Sequence, residues 1–380
     1  MILIKNADVY APRHLGICDL LLGGGKILAI EKQLALTGLA AEILDAAGRI
    51  LTPGLIDQHV HITGAGGQCG FHSMTPPIEL GTLVACGTTT VLGLLGTDGV
   101  TRDLHTLYAK ACALEEEGIS ARILTGSFAF PPVTFTGSVR EDMLFIDKVI
   151  GCKTAIADAR SSHPSDRELL RVLTDIHVGG MLSGKQGILH VHLGAQEEGM
   201  EQLLTLAERD HVPIRRISPT HVGRTRDLFE QALRFAKTGG MIDFSTGGTR
   251  FDEPCRQILL ARESGVPIEN MTLSSDGNAG VVIRGADGSV TGYRKAPVDG
   301  NLAQVVKLIR DLGADISDAL RLVTSNPAEN LSLRDKGRIA PGADADLCLF
   351  DDRMNLQEVI ARGTLLMHEG KIIRKGTFEA

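Results

Sequence analysis

The sequence predicts a (β/α)8 barrel of the TIM type, joined to a small all-β domain that both ends of the chain build together. Three observations support this fold. The central region alternates eight β-rich runs with helical ones, the two ends contain short β-segments without a long helix, and 380 residues exceed the usual size of one hydrophobic core. We place the composite β domain at residues 1–52 and 336–380, and the barrel at 53–335.

The two chain ends have the same sequence pattern. The N-terminal part contains MILIKNADVY, CDLLLGGGKILAIEKQL and AEILDAAGRI, which are short apolar runs separated by glycine-rich turns. The C-terminal part repeats this pattern, and HEGK at 368–371 is typical of a hairpin turn. Neither fragment is large enough to enclose a core alone, so we expect them to share one sheet.

The central region supplies the eight barrel strands. Amphipathic segments separate several of them, and Ser165 with Glu168 has the spacing of a capping box ahead of one. A doubly wound sheet is the alternative, but no GxGxxG follows a first strand. The strand candidates are LIDQHVHI, GTTTVLGLLG, ISARILTGSF, VIGCKTAIAD, GILHVHLG, VPIRRISPTHV, MIDFST and MTLSSD.

Composition narrows the class of protein. Hydrophobic residues make up 43% and charged residues 22%, which is typical of a globular chain and excludes a disordered or fibrous one. A net charge of −7 with scattered Lys and Arg argues against a nucleic-acid partner. The seven cysteines are widely spaced without a CxxC pair, so we expect reduced thiols. No signal peptide or membrane-length apolar run is evident, and we therefore expect a cytoplasmic protein without a membrane partner.

His59 and His61 form an HxH pair near the end of the first predicted barrel strand. Side chains at i and i+2 share a strand face, so both imidazoles can reach one metal ion. Two barrel-interior histidines held by hydrogen bonds are the alternative interpretation.

Further candidate ligands stand at the ends of other predicted strands. Each alone has a structural alternative: an ion-paired lysine, a hydrogen-bonded core histidine or an N-cap aspartate. Six such residues at five strand ends indicate a metal centre on one rim of the barrel. We read His190, one layer deeper than the strand-end histidine after it, as barrel interior. The additional candidates are Lys153, His192, His221 and Asp276.

A lysine among histidines conflicts with a divalent cation, because an ammonium group repels it. Carbamylation resolves this conflict. A desolvated lysine with a lowered pKa can react with CO₂ to give an anion that bridges two metals roughly 3.5–4 Å apart. We infer this modification for Lys153.

Five motifs resemble, in order and spacing, the isoaspartyl (β-aspartyl) dipeptidase family of the amidohydrolase superfamily. They are GLLGTD at 93–98, LTGS at 124–127, GSVREDM at 137–143, PTHVGR at 219–224 and SSDGN at 274–278. PGLIDQ before HVH and PGADADLCLFD near the C-terminus extend the resemblance over essentially the whole chain. It implies a barrel that holds two divalent metals, expected to be zinc, together with a β-sandwich domain and a large homo-oligomer, with an octamer as the expected assembly. The implied reaction is cleavage of β-Asp-X dipeptides.

The resemblance also implies roles for the ligands. His59 and His61 would hold one metal with Asp276, while His192 and His221 would hold the second and carbamylated Lys153 would bridge them. A bridging hydroxide would attack the amide carbonyl, with Asp276 as general base and acid.

Two arginines match family positions that bind substrate carboxylates, and a guanidinium fork suits a carboxylate. Surface arginines paired with neighbouring acids are the alternative. The expected partner is therefore a small molecule with a carboxylate. The implied substrate-binding positions are Gly66, Gln68, Thr97, Phe128, Arg160, Arg224 and Gly280.

Three of these positions depart from the family pattern. Gln68 stands where the dipeptidases carry a glutamate that pairs with the substrate ammonium, Phe128 replaces a tyrosine near the scissile carbonyl, and Gly280 replaces a serine. Substrate choice is therefore expected to have drifted, while metal binding is intact. The alternatives are the family activity itself, a cyclic-amide or N-acyl-amino-acid hydrolase, and a non-catalytic scaffold.

Overall fold

The structure is a computed structural model that describes residues 1–36, 38, 40–209 and 212–380. It contains nineteen strands and ten α-helices in these ranges. A search of the described helices finds none with the length and apolarity to cross a bilayer.

The strands are β1 (Ile2–Tyr10), β2 (His14–Gly23), β3 (Lys26–Glu31), β4 (Glu42–Asp45), β5 (Ile50–Pro53), β6 (Leu55–Val60), β7 (Thr88–Gly93), β8 (Ser120–Gly126), β9 (Val149–Ile156), β10 (Ile188–Leu193), β11 (Ile217–Thr220), β12 (Ile242–Ser245), β13 (Met271–Ser274), β14 (Gly280–Arg284), β15 (Val290–Lys295), β16 (Leu347–Phe350), β17 (Leu356–Ala361), β18 (Thr364–His368) and β19 (Lys371–Ile372). The helices are α1 (Leu80–Val84), α2 (Leu104–Glu117), α3 (Val139–Phe145), α4 (Asp166–Ser183), α5 (Glu201–Arg209), α6 (Arg226–Lys237), α7 (Pro254–Glu263), α8 (Gly300–Arg310), α9 (Ile316–Arg321) and α10 (Ser325–Asn330).

The two chain ends form one nine-stranded sheet, as predicted. Its main path runs β19-β18-β17-β16-β5-β1-β2-β3, with β4 beside β1. The fragments join where β16 pairs antiparallel with β5, for example Leu349 opposite Leu51. Apolar side chains from both ends, such as Ile4 and Leu347, pack into one buried cluster. The division of the chain at 52/53 and 335/336 stays a prediction.

The barrel consists of β6 to β13, and neighbouring strands are parallel and consecutive in the chain. These eight strands are the eight predicted ones. Closure between the last and the first strand is made just beyond β13, where the His61 N–H donates to the Gly277 carbonyl at 3.0 Å. Helix α4 begins as its capping box predicts, with the Ser165 N–H donating to Glu168 Oε2 at 2.8 Å. Strand β11 is shorter than predicted because residues 214–216 form a 3-10 turn.

Two segments cover the barrel rim at which β6 and β13 end. We call residues 64–76 the rim loop and residues 280–295, which contain β14 and β15, the rim hairpin. Their backbones approach so closely at Gly66 and Gly280 that a Cβ on Gly280 would lie 2.7 Å from the Gly66 Cα. The hydroxyl of Thr75 in the loop also donates to the Asn278 carbonyl at 2.7 Å. The hairpin was not among the elements predicted from the sequence.

Candidate active site

The HxH pair lies at the end of β6, opposite the residues that follow β13. Asp276 Oδ1 lies 3.4 Å from His59 Nε2 and 3.3 Å from His61 Nε2. Asp276 has a positive φ of 51°, a backbone conformation that residues other than glycine seldom adopt. The chain turns sharply there, and the carboxylate lies beside both imidazoles.

His221 completes a compact donor set with His59 and Asp276. One ligand atom from each of these three residues lies within 4.8 Å of the others. The ring of His221 is buried, and neither of its nitrogens has a hydrogen-bond partner among the described residues. A buried polar group without a partner is costly, and a cation between these atoms would remove that cost. The residues therefore fit a divalent metal ion.

His192 points partly away from this set. Its ring centroid lies 4.6 Å from that of His221, as a shared metal would need, but its Nε2 lies 3.1 Å from Asp158 Oδ2. If Nε2 carries the proton that Asp158 accepts, the Nδ1 lone pair is the one available to a ligand. Asp158 thus holds His192 by one nitrogen.

Lys153 lies in β9 and is completely buried. Its Nζ has no hydrogen-bond partner within the described part of the chain. Burial lowers the pKa of Lys153 to about 7, although Asp276 and Asp243 oppose the effect. A substantial fraction of the side chain is therefore the neutral amine at neutral pH, which is the form that reacts with CO₂.

Four of the other candidate ligands, His59, His192, His221 and Asp276, are in the protonation states that metal binding needs. Burial lowers the pKa of His192 to about 3 and those of His59 and His221 well below their usual value, so these imidazoles are neutral at pH 7. Burial alone would raise the pKa of Asp276, but hydrogen bonding and charge from His61 bring it below its usual value. Asp276 is thus a carboxylate.

The candidate ligands open into a cavity of about 350 Å³ between the rim loop and the rim hairpin. His61, His192 and Asp276 line its floor. All seven positions named above as substrate-binding also line it: Gly66, Gln68, Thr97, Phe128, Arg160, Arg224 and Gly280. The structure therefore brings three of the six predicted ligands and all seven predicted substrate-binding positions to one cavity.

The two predicted carboxylate-binding arginines differ in their surroundings. Arg160 is paired with Asp158 through two contacts of 2.8 and 2.6 Å, which is the alternative that the sequence left open. Its guanidinium also lies over the Phe128 ring, 5.3 Å from the centroid. Arg224 forms no ion pair with any described residue, and its buried Nε lacks a hydrogen-bond partner there. Arg224 is therefore the cation that an anionic ligand would neutralise.

Sequence reasoning missed three parts of this site. Asp158, which bonds both His192 and Arg160, was passed over although it ends a predicted strand. His190 contacts His59, and the signal for it was the second HVH of the chain, at 190–192. Arg284 of the rim hairpin lines the cavity and had no recognisable signal.

The chain is similar to a known enzyme family and to a solved enzyme structure. The model of the Amidohydrolase family matches residues 269–373. The crystal structure of β-aspartyl dipeptidase from Fervidobacterium islandicum AW-1, in complex with β-Asp-Leu, is 42% identical to this chain. It superposes with a TM-score of 0.91, and the match covers 98% of each chain.

More distant relatives have other activities. A dihydroorotase of Streptococcus pneumoniae is 24% identical over 92% of this chain and 90% of its own length. An adenine deaminase of Clostridium perfringens is 23% identical, and the chain spans 61% of the length of that enzyme. A D-hydantoinase structure, 20% identical with a TM-score of 0.66, shares the fold.

Proposed function

Because the chain belongs to the β-aspartyl dipeptidase family of the amidohydrolase superfamily, whose fold and hydrolase class it shares, we propose that it hydrolyses an amide bond of a small carboxylate-bearing substrate. The substrate is a β-aspartyl dipeptide or a relative with an altered amine end. One observation carries the proposal: three candidate metal ligands, His61, His192 and Asp276, line the same cavity as Arg224, which is half-buried and forms no ion pair with a described residue.

In this proposal two divalent ions, expected to be zinc, occupy the rim. His59, His61 and Asp276 would hold one, His192 and His221 would hold the other, and Lys153 as a carbamate would bridge them. Bound metals of this kind polarise a carbonyl and activate water at neutral pH. The unpartnered nitrogens of His221 and Lys153 among the described residues support this ligand set.

Lys153 would acquire its negative charge from CO₂. The neutral amine forms a C–N bond with the carbon of CO₂, one N–H proton leaves to solvent, and a carbamate anion remains. The pKa of about 7 that burial imposes on Lys153 supports this step, since the ammonium form has no lone pair.

Asp276 would move the proton. With its pKa below the usual value it is ionised at neutral pH, so it can accept a proton from the attacking water. It would then return that proton to the nitrogen of the leaving amine. Its Oδ1, within 3.4 Å of both HxH rings, faces the floor of the cavity, where the scissile carbonyl would lie.

Recognition would depend on charge. Arg224 would pair with a substrate carboxylate. Among the described residues that line the cavity, Asp276 is the one acid, and Gln68 is neutral. A free α-ammonium would therefore lack a dedicated partner, and selection for it would weaken by about 1–3 kcal/mol. This favours, as a second candidate, an N-acyl-amino-acid or cyclic-amide hydrolase.

The deciding experiment compares hydrolysis of β-Asp-Leu with that of its N-acetyl counterpart, using protein reconstituted with Zn²⁺ and bicarbonate. Preference for the free amine supports the dipeptidase, and preference for the blocked amine supports the second candidate. Arg224→Met should raise KM for both substrates, since each carries a carboxylate. If neither is hydrolysed, and protein purified without added metal holds no near-stoichiometric Zn, Mn or Fe, the chain is a scaffold and the proposal is wrong.

The proposed assembly is a homo-oligomer, with eight subunits as the expected number. Light scattering coupled to gel filtration measures this directly. A monomer at micromolar concentration would contradict it.

A further inference from the structure

We propose that His190 is a positioning residue that holds His59 in the one tautomer able to bind a metal ion. This inference rests on the proposed metal centre and extends it to a residue below the rim. His190 lies in β10, completely buried, where the interior of such a barrel is usually filled with branched apolar side chains. A buried imidazole there needs hydrogen-bond partners.

The two ring nitrogens of His59 face opposite directions. Nε2 faces Asp276 Oδ1 at 3.4 Å, toward the rim, and Nδ1 lies 3.0 Å from His190 Nε2, toward the barrel interior. The other nitrogen of His190, Nδ1, lies 3.2 Å from Ser218 Oγ. A hydrogen-bonded column therefore descends from the proposed metal ligand through His190 to Ser218.

The lower end of this column has a fixed orientation. The Gln58 amide nitrogen donates to Asp243 Oδ1 at 2.8 Å, so its carbonyl oxygen must face the other way. That oxygen accepts from Asn330 Nδ2 at 2.9 Å, and the same nitrogen donates to Ser218 Oγ at 3.0 Å. The Asp243 carboxylate thus fixes the orientation of Gln58 and, through it, that of Asn330. Asn330 then donates to one lone pair of the Ser218 hydroxyl oxygen. The second lone pair or the hydrogen of the Ser218 hydroxyl remains for His190.

Two proton arrangements are compatible with these contacts. In the first, Ser218 donates to His190 Nδ1, and His190 donates from Nε2 to His59 Nδ1. The proton of His59 is then on Nε2, facing Asp276, and blocks ligation. In the second, His59 donates from Nδ1 to His190, and His190 donates from Nδ1 to Ser218. This leaves the Nε2 lone pair of His59 free for the metal, so metal binding requires the second arrangement.

The role of His190 is therefore to accept the inner proton of His59. Without that acceptor, the His59 N–H would be buried without a partner whenever a metal is bound. Groups that orient a metal-binding histidine in this way usually change metal affinity about 10–100-fold when they are lost.

Two variants separate this role from simple packing. His190→Gln retains an amide oxygen long enough to accept from His59, whereas His190→Asn keeps a polar group beside Ser218 but is too short to reach His59. The measurement is the Zn²⁺ affinity of each metal-free protein, determined by competition with a chromogenic chelator, together with the melting temperature of the metal-free form. Neither readout depends on a substrate.

We expect His190→Asn to weaken one of the two zinc sites about 10–100-fold and His190→Gln to stay close to the wild type, with similar melting temperatures. Zinc affinity unchanged in His190→Asn would overturn the role of His190 alone. The role would also be overturned if both variants lost zinc affinity equally and their melting temperatures fell as well, because that result indicates a packing defect. A wild-type protein that binds no zinc would overturn the proposed metal centre as well.

Discussion

Replacing Lys153 with methionine should make the metal-free protein more stable at neutral pH, although it destroys the proposed bridge. Burial lowers the pKa of Lys153 from 10.5 to about 7. The two pKa values differ by about 3.5. Because one pKa unit corresponds to about 1.4 kcal/mol, burying the charged lysine costs on the order of 5 kcal/mol of folding free energy. Methionine fills a similar volume without a charge, so the variant should gain up to this amount.

The pH dependence has a definite sign. The unfolded chain keeps the Lys153 proton up to pH 10.5, whereas the folded protein releases it near pH 7. The unfolded state therefore binds more protons between these values, and the stability of the wild type rises with pH in that interval. The advantage of Lys153→Met is complete below about pH 7 and disappears toward pH 10.5.

Urea unfolding of chelator-treated protein at pH 7 and pH 10, in CO₂-free buffer, measures this advantage. Lys185→Met is the matched control, because the Lys185 ammonium donates to the backbone carbonyls of Met143, Ile146 and Val149. Its loss should destabilise the protein by about 1–3 kcal/mol. The reasoning is refuted if Lys153→Met is no more stable than the wild type at pH 7, or if its advantage is the same at pH 10.

Three further predictions concern activity. Lys153→Ala should lose most turnover and regain part of it with formate or acetate, since these fit the vacated space; a variant as active as the wild type would remove the lysine from the site. Asp276→Asn should retain zinc by metal analysis but lose turnover, and preserved kcat would exclude the residue as proton carrier. Gln68→Glu combined with Phe128→Tyr should raise kcat/KM for β-Asp-Leu relative to its N-acetyl form, because the charge partner and a hydrogen-bond donor return; unchanged preference would show that other positions decide it.

The sequence predicted the eight barrel strands because each is a short, almost wholly buried run with local apolar character. It also predicted which residues meet at the rim, since parallel strands of a barrel present their carboxyl ends on one side. The contact of His190 with His59 could not be predicted, because it joins residues 131 positions apart and depends on ring orientation. The pairing of Arg160 with Asp158 is a local choice that the sequence left open.

The rim hairpin escaped prediction for a different reason. Every residue of β14 and β15 is exposed or half-buried, and the run lacks the alternation of apolar and polar residues that marks a strand with one buried face. The hairpin contacts a segment more than 200 residues earlier in the chain, for example where His72 Nε2 lies 3.2 Å from the Tyr293 hydroxyl.

Two of the three positions predicted to depart from the dipeptidase pattern, Gln68 and Gly280, lie on the two segments that meet at the rim. A serine at position 280 would place its Cβ 2.7 Å from the Gly66 Cα, so it requires the rim loop to move away. The loop is held there, because the Ala65 N–H and the Asn278 carbonyl both bond the Thr75 hydroxyl, at 2.8 and 2.7 Å. Gln68 lies on this same loop and faces Gly280 across a smaller cavity of about 150 Å³. The close approach of the rim loop therefore requires a glycine at position 280.

The proposed metal ligands lie on a different part of the fold, within or directly after the strands β6, β9, β10, β11 and β13. Those strands are held by their parallel pairing. A shift of the loop against the hairpin can therefore alter the amine end of the cavity while the ligands inside the strands, His59, Lys153 and His192, stay in place. This separation allows the predicted ligand set to remain complete while the predicted substrate-contacting positions differ from the family pattern.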